Sequence, residues 1–224
     1  MKDSDPNQHL RLYSFWRSSA AFRVRIALNI KQLSYESVPV NLSAAVLAQK
    51  SASYRAINPQ GLVPALVDQG RVLAESLAII EYLEEVQPEP KLLPSDSYAR
   101  AQVRWMAQLI ACDIHPLNNT RVLGYLRNKL NQDETSIDDW YRHWILEGFA
   151  ALEILANQWS GDGSRLFGNQ LTIADICLVP QVYNARRFKT PMHDFPVLNR
   201  ICSSLETLPA FAAARPELQP DAVS

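Results

Sequence analysis

Val63-Pro64-Ala65-Leu66-Val67-Asp68-Gln69-Gly70-Arg71-Val72-Leu73-Ala74-Glu75-Ser76 is the stretch that decides how the first part of the chain folds. Two short apolar runs, Val63 to Val67 and Val72 to Leu73, flank Asp68-Gln69-Gly70, which is the signature of a β-hairpin. A helical pattern follows from Glu75 to Val86, with Leu77, Ile80 and Leu83 turned inward. Upstream, Leu10 to Phe15 and Tyr35 to Val40 read as strands. The helix between them starts at Ser18-Ser19 and sets Phe22, Ile26 and Ile30 on one face. Ser43 to Arg55 reads as a weak helix ending near Asn58-Pro59. The order βαβαββα implies a mixed sheet flanked by helices.

Downstream the strand signals stop. Pro88, Pro90 and Pro94 cannot continue a helix and mark a linker. Beyond it the pattern is helical: Tyr98 to Lys129, bent near His115-Pro116, then Ile137 to Trp159, Thr172 to Phe188 and Val197 to Thr207. The expected organisation is an α/β domain over residues 10–90 and an all-α domain over 97–218. Thr172-Ile173-Ala174-Asp175 fits a capping box and reads as structural.

Bulk composition excludes several classes. The 224 residues carry 22 Lys+Arg against 23 Asp+Glu, a net charge of −1, which favours neither nucleic acid nor an anionic membrane as partner. No apolar run approaches the ~20 residues of a membrane span. Met1 to His9 is polar, lacks the basic start and apolar core of a secretion signal, and reads as a frayed tail. Cys112, Cys177 and Cys202 lie far apart among apolar residues, so buried free thiols in a reducing compartment are expected rather than disulfides or a zinc site. His9, His115, His143 and His193 form no ligand pair, and no metal site is expected.

Several segments carry chemistry. The strand-turn-helix Tyr13-Ser14-Phe15-Trp16-Arg17-Ser18-Ser19 places hydroxyls and backbone N–H groups at a helix N-terminus, where an anion is favoured and a thiolate has a lowered pKa. A serine there also reads as an ordinary helix cap. Val63-Pro64 puts a proline where a strand should run. A cis bond there would turn the Val63 backbone outward to pair with an extended peptide. Glu75-Ser76 opens the next helix with a carboxylate and a hydroxyl, suited to an amino-acid zwitterion or simply to capping. Arg17, Arg121 and Arg187 adjoin candidate site loops in three segments, and guanidinium forks are suited to carboxylates. Arg186 and Arg187 are adjacent, so they point about 100° apart on a helix and only one faces a ligand.

Taken together, these segments resemble the zeta class of the glutathione transferase family from Leu10 to about Asp221. The resemblance is carried by Ser18-Ser19-Ala20-Ala21-Phe22-Arg23-Val24-Arg25-Ile26-Ala27-Leu28, by Asn58 to Leu66, and by Glu75 to Glu85. In the second domain it is carried by Asp113 to Asn119, Thr172 to Asp175 and Leu178 to Val182. It implies a thioredoxin-like N-terminal domain, an all-helical C-terminal domain, glutathione as cofactor and a cytoplasmic homodimer.

The resemblance also implies site residues. Ser18 donates to the thiolate, helped by Ser19 and Ala20. Gln60, Val63, a cis Pro64, Glu75 and Ser76 hold glutathione, with His115 and Asn119 reaching it or the substrate. Arg17, Arg121 and Arg187 bind a small dicarboxylate, and Arg17 and Arg187 also act in catalysis. The implied reaction is cis–trans isomerisation of a maleyl-type diacid, maleylacetoacetate to fumarylacetoacetate, as in tyrosine and phenylalanine catabolism. Maleylpyruvate is an alternative substrate, and transfer of glutathione to small α-halo acids an alternative reaction. A non-enzymatic module would not need Ser18, Pro64 and Ser76 together. Two departures stand out: many members carry cysteine where this chain has Ala20, and glutamine where it has Glu75.

Overall fold

The computed structural model describes residues 10–43 and 46–223, so Met1 to His9 lie outside the described residues. It divides into two compact units, one holding the chain up to Pro90 together with the segment from Leu208, the other holding Lys91–Thr207.

In the first unit the order is β1 (Arg11–Ser14), α1 (Ser19–Ile30), β2 (Glu36–Pro39), α2 (Ala52–Ile57), β3 (Ala65–Asp68), β4 (Arg71–Ala74) and α3 (Ser76–Val86). The strands form one sheet in the order β2-β1-β3-β4, with β1 parallel to β2 and antiparallel to β3. The hairpin closes through Asp68 opposite Arg71. Gln69 and Gly70 both take positive φ, the geometry whose twist matches that of the flanking strands. Pro39 is tolerated because β2 is an edge strand.

Helix α1 is buried from Ala21 to Leu28, including Arg23 and Arg25. Phe22 and Ile26 lie in the core as expected, whereas Ile30 is half-buried at the helix end. In α3, Ile79 joins Ile80 and Leu83 in the core, and Leu77 is only half-buried. Lys31 is fully buried at the end of α1, where its ammonium meets Glu84 at 2.5 Å and the Pro90 carbonyl at 2.7 Å. The expected helix from Ser43 to Arg55 is broken. Leu47 takes positive φ, and Ser51 restarts the helix by accepting from Tyr54 N. Ala44 and Ala45 lie outside the described residues.

The second unit begins with α4 (Ser97–Gln108), which widens into a π-helical turn (Leu109–Ile114) and tightens into a 3₁₀ turn (His115–Asn118) before α5 (Thr120–Lys129). The expected bend is thus a break, at the proline that cannot supply a helical N–H. The wide turn buries Ile110 and Ile114 and leaves Cys112 exposed, correcting the expectation of three buried thiols. Cys177 and Cys202 are buried, and none of the three is in a disulfide. Then come α6 (Glu134–Trp159), α7 (Ile173–Arg187) and α8 (Pro196–Glu206). Phe195 offers no cap to α8. Instead the buried Glu153 carboxylate, from α6, accepts from Val197 N at 2.8 Å and Leu198 N at 3.0 Å. An anion at a helix N-terminus is favourable in this position.

The chain then returns to the first unit. In α9 (Pro209–Ala213) the Ala210 carbonyl accepts from Asn29, and Ala214 just beyond accepts from Arg25. The sequence-based boundary of 97–218 differs from this division because those carbonyls satisfy side chains of α1. Among the described residues no helix is long and apolar enough to cross a membrane, and no cluster could hold a metal ion.

The capping box is present at the start of α7. Asp175 Oδ2 accepts from Thr172 N and Oγ1, and Oδ1 accepts from Leu166 N at 2.8 Å, which also ties down the preceding loop. Burial pushes the carboxyl up to about 6, while these three donors oppose the rise. With the unfolded carboxyl near 3.8, the folded state takes up a proton between those values. The group therefore favours folding fully below pH 4, and that contribution is lost as pH rises through 6. Relative to Asp175→Asn, which cannot titrate, the parent should lose up to about 3 kcal/mol of unfolding free energy between pH 4 and 7, as measured by urea denaturation.

Candidate functional site

The β1–α1 turn is built on a short hydrogen bond, Ser18 N to Phe15 O at 2.9 Å, which reverses the chain before the helix. Ser18 keeps extended backbone angles and caps α1, its Oγ accepting from Ala21 N at 3.3 Å. The cap reading and the chemical reading are therefore compatible. A hydroxyl that accepts through a lone pair still has its own hydrogen to donate. Ser19, buried, and Ala20, half-buried, are in the first turn, whose N–H groups have no intrahelical acceptor. Hydroxyl, N–H groups and helix dipole together form an anion-stabilising corner. Arg17 is exposed beside it, its guanidinium carbon 5.1 Å from the centre of the Trp16 ring.

A second group forms before β3 and α3. The Val63-Pro64 bond is cis. The preceding Leu62 carbonyl accepts from Tyr54 Oη at 2.6 Å and from Asn58 Nδ2 at 2.8 Å, which pins the segment to the end of α2. Asn58 Oδ1 also accepts from Gln60 N at 3.1 Å. Gln60 Nε2 in turn donates to Glu75 Oε1 at 2.9 Å. Glu75 holds a φ of 69° at the N-cap of α3, a conformation that is costly for a residue with a side chain. Ser76 is buried in the first turn of α3 and accepts from Arg23 Nη1 at 3.3 Å. The structure thus joins Gln60 directly to Glu75 and places Ser76 next to it. Arg23 links this group back to α1.

The remaining candidates are in the second unit. His115 opens the 3₁₀ turn, and Asn119 caps α5 by accepting from Arg121 N at 3.1 Å. Arg121 is exposed in the first turn of that helix. At the end of α7, Arg186 pairs with Glu206 at 2.6 Å. Arg187 is exposed, with its guanidinium carbon 4.7 Å from the centre of the Phe188 ring. Tyr141 stacks on that ring, and Arg142 Nε donates to the Phe188 carbonyl at 2.9 Å. The adjacent arginines have different surroundings, Arg186 in an ion pair and Arg187 against an aromatic face.

Sequence reasoning assigned no role to Arg23, Arg25 or Asp221. Two arginines two positions apart in an otherwise apolar helix were the available signal for the first two. No local pattern marks Asp221, whose partner lies 205 positions away.

Residues 12–91 match the glutathione S-transferase N-terminal domain model, and residues 138–214 match the C-terminal domain model. A probable maleylacetoacetate isomerase of Vibrio cholerae is 51% identical over 95% of this chain and 98% of its own length. Among solved structures, a zeta-class maleylpyruvate isomerase in its holo form is 44% identical, with a TM-score of 0.91 over 95% of this chain and 100% of the other. A maleylacetoacetate isomerase from Methylobacterium extorquens AM1, holding malonate and glutathione, is 38% identical, with a TM-score of 0.91 over 96% and 100%. With both domain models matched in order, and with similarity running through the N-terminal corner and the helical unit alike, the chain belongs to the glutathione S-transferase family and, within it, to the zeta class.

Proposed function

We propose that this chain isomerises a maleyl-type diacid, maleylacetoacetate to fumarylacetoacetate, with glutathione as a regenerated cofactor. The observation that carries the reading is the Ser18 corner, where an anion-stabilising helix N-terminus retains a hydroxyl hydrogen. A relative that is 51% identical and carries this activity in its name supports it. Maleylpyruvate is the second reading, supported by the relative of known structure named for that substrate.

The residues fit glutathione. Glu75, bridged by Gln60, offers a carboxylate to a ligand ammonium, and Ser76 with the α3 N-terminus offers donors to the neighbouring carboxylate. Val63, before its cis proline, is assigned to the cysteinyl backbone. His115 and Asn119 are assigned to glutathione or to substrate. The chemistry glutathione supplies when bound is a nucleophilic sulfur that adds reversibly to an alkene conjugated with a carbonyl, so that the former double bond can turn. Ser18 keeps that sulfur ionised by hydrogen bonding, with the Ser19 and Ala20 amides adding to the favourable potential. Carboxylate recognition is assigned to Arg17 and Arg187, and to Arg121 according to the substrate. A guanidinium near a conjugated carbonyl also stabilises the charge that develops on its oxygen. The same reading includes a cytoplasmic homodimer working in tyrosine and phenylalanine breakdown. A monomeric mass by light scattering at micromolar concentration would overturn the dimer.

Two sets of variants test the assignment. Ser18→Ala should lower isomerase turnover by ~10²-fold, as for the loss of an oxyanion donor. Full activity near neutral pH would leave Ser18 as a cap only. Arg187→Ala should damage isomerisation strongly and Arg17→Ala less, while conjugation of a neutral aryl halide is largely spared because it presents no carboxylate. Equal loss of both activities would place the arginines at the glutathione site instead.

A further inference from the structure

The assignments above leave Arg25 without a role. It is completely buried in α1, and its guanidinium is met from three directions. Nη1 donates to Ser14 Oγ at 3.1 Å, Nη2 to the Trp16 carbonyl at 2.9 Å, and Nε to the Ala214 carbonyl at 3.2 Å. These acceptors belong to the end of β1, to the turn before α1 and to the segment after α9. The turn is gripped a second time from the same segment, because Trp16 N donates to Asp221 Oδ2 at 2.9 Å. Both backbone polar groups of Trp16 are therefore held by side chains from outside the turn. Asp221 and Arg25, of opposite charge, attract one another across it.

Fixing Trp16 has a consequence for its neighbour. The Trp16 ring is tilted against Phe15, with centroids 5.9 Å apart, and the Arg17 guanidinium lies over the Trp16 ring. An exposed arginine otherwise samples many rotamers. A cation–π contact narrows that choice, provided the ring itself is held. Ser18 is anchored separately, through Ser18 N to Phe15 O at 2.9 Å and Phe22 N to Ser18 O at 2.8 Å. Loosening Trp16 would thus move Arg17 while leaving the serine cap in place.

We infer that Asp221, acting with Arg25, is a positioning residue for Arg17: the C-terminal segment fixes the Trp16 platform on which the Arg17 guanidinium is presented to a substrate carboxylate. The inference rests on the reading of Arg17 as a carboxylate-binding residue. Its signature is selectivity, since a diacid senses where Arg17 sits and a neutral substrate does not.

The test compares Asp221→Ala with Asp221→Asn, whose amide oxygen can still accept from Trp16 N. For each, KM and kcat are measured with maleylacetoacetate and maleylpyruvate, alongside conjugation of chlorodinitrobenzene. Calorimetry gives the affinity of the glutathione-loaded protein for malonate, a readout that needs no turnover. Asp221→Ala should raise the diacid KM and weaken malonate binding by about 3–5-fold, as expected for loss of one exposed cation–π restraint on Arg17. Its glutathione KM and aryl-halide conjugation should stay within about 2-fold, and Asp221→Asn should recover most of the loss. Combined with Arg17→Ala, Asp221→Ala should add nothing further.

An unchanged diacid KM and malonate affinity would overturn the inference. So would a proportional loss of isomerisation and conjugation, or additivity in the double variant. A parent that isomerises neither diacid sinks the isomerase reading instead. The malonate arm then still decides, with weaker binding in Asp221→Ala supporting the positioning role and parental or absent binding overturning it.

Discussion

A guanidinium with no access to water needs an acceptor for every donor it points inward, and Arg25 imposes that demand on the whole first unit. Burial pulls its pKa down to about 10, against the opposing influence of Tyr35 and Asp221. The arginine is a cation at neutral pH, and a buried cation is tolerated only where acceptors meet its donors. Those acceptors define the geometry of the site: the end of β1 must stop at Ser14, the turn must expose the Trp16 carbonyl, and the chain must return from the helical unit to bring Ala214 within reach. The return of the C-terminal segment is thus an electrostatic requirement of α1 as well as a packing event.

Helix ends do most of the remaining work, in structural and chemical roles alike. Asp175 and Glu153 each bring a carboxylate to orphan N–H groups, of α7 and α8 respectively, and so fix where those helices begin. Ser18 is the N-cap of α1 and Ser76 the first residue of α3, and the caps of these two helices are lighter. Ser18 accepts a single longish bond of 3.3 Å, and Glu75 at the α3 N-cap makes no side-chain cap bond at all. A carboxylate cap would consume the helix potential. A hydroxyl cap leaves it available to an incoming anion.

Most of the first unit was legible in the sequence because its signals are local. Alternating apolar runs, Asp68-Gln69-Gly70 and the serines before Phe22 each act over a few residues, and strands and helices formed where they pointed. The capping box at Thr172 to Asp175 was legible for the same reason. What escaped was non-local. One exception is local: Ser76, Ile79, Ile80 and Leu83 form the i, i+3, i+4, i+7 face buried in α3, a pattern that periodicity supports and that the reading with Leu77 inward missed. The break at Leu47 and the outward turn of Cys112 depend on backbone geometry that composition does not encode. At the site, Gln60, Glu75 and Ser76 were gathered through a family pattern, and the structure supplies the contacts, Gln60 to Glu75 and Arg23 to Ser76, that such a pattern cannot show.

Ala20 sharpens what the Ser18 corner must accomplish. A cysteine there would add a second titratable sulfur to the first turn of α1, subject to the same helix potential and competing for the same donors. With a methyl group instead, that turn carries no protein sulfur. The nearest alternative thiol in the chain order, Cys112, belongs to the π-helical turn of the second unit. A reversible addition needs a nucleophile that leaves as readily as it arrives, and in the proposed reaction that nucleophile is the glutathione sulfur.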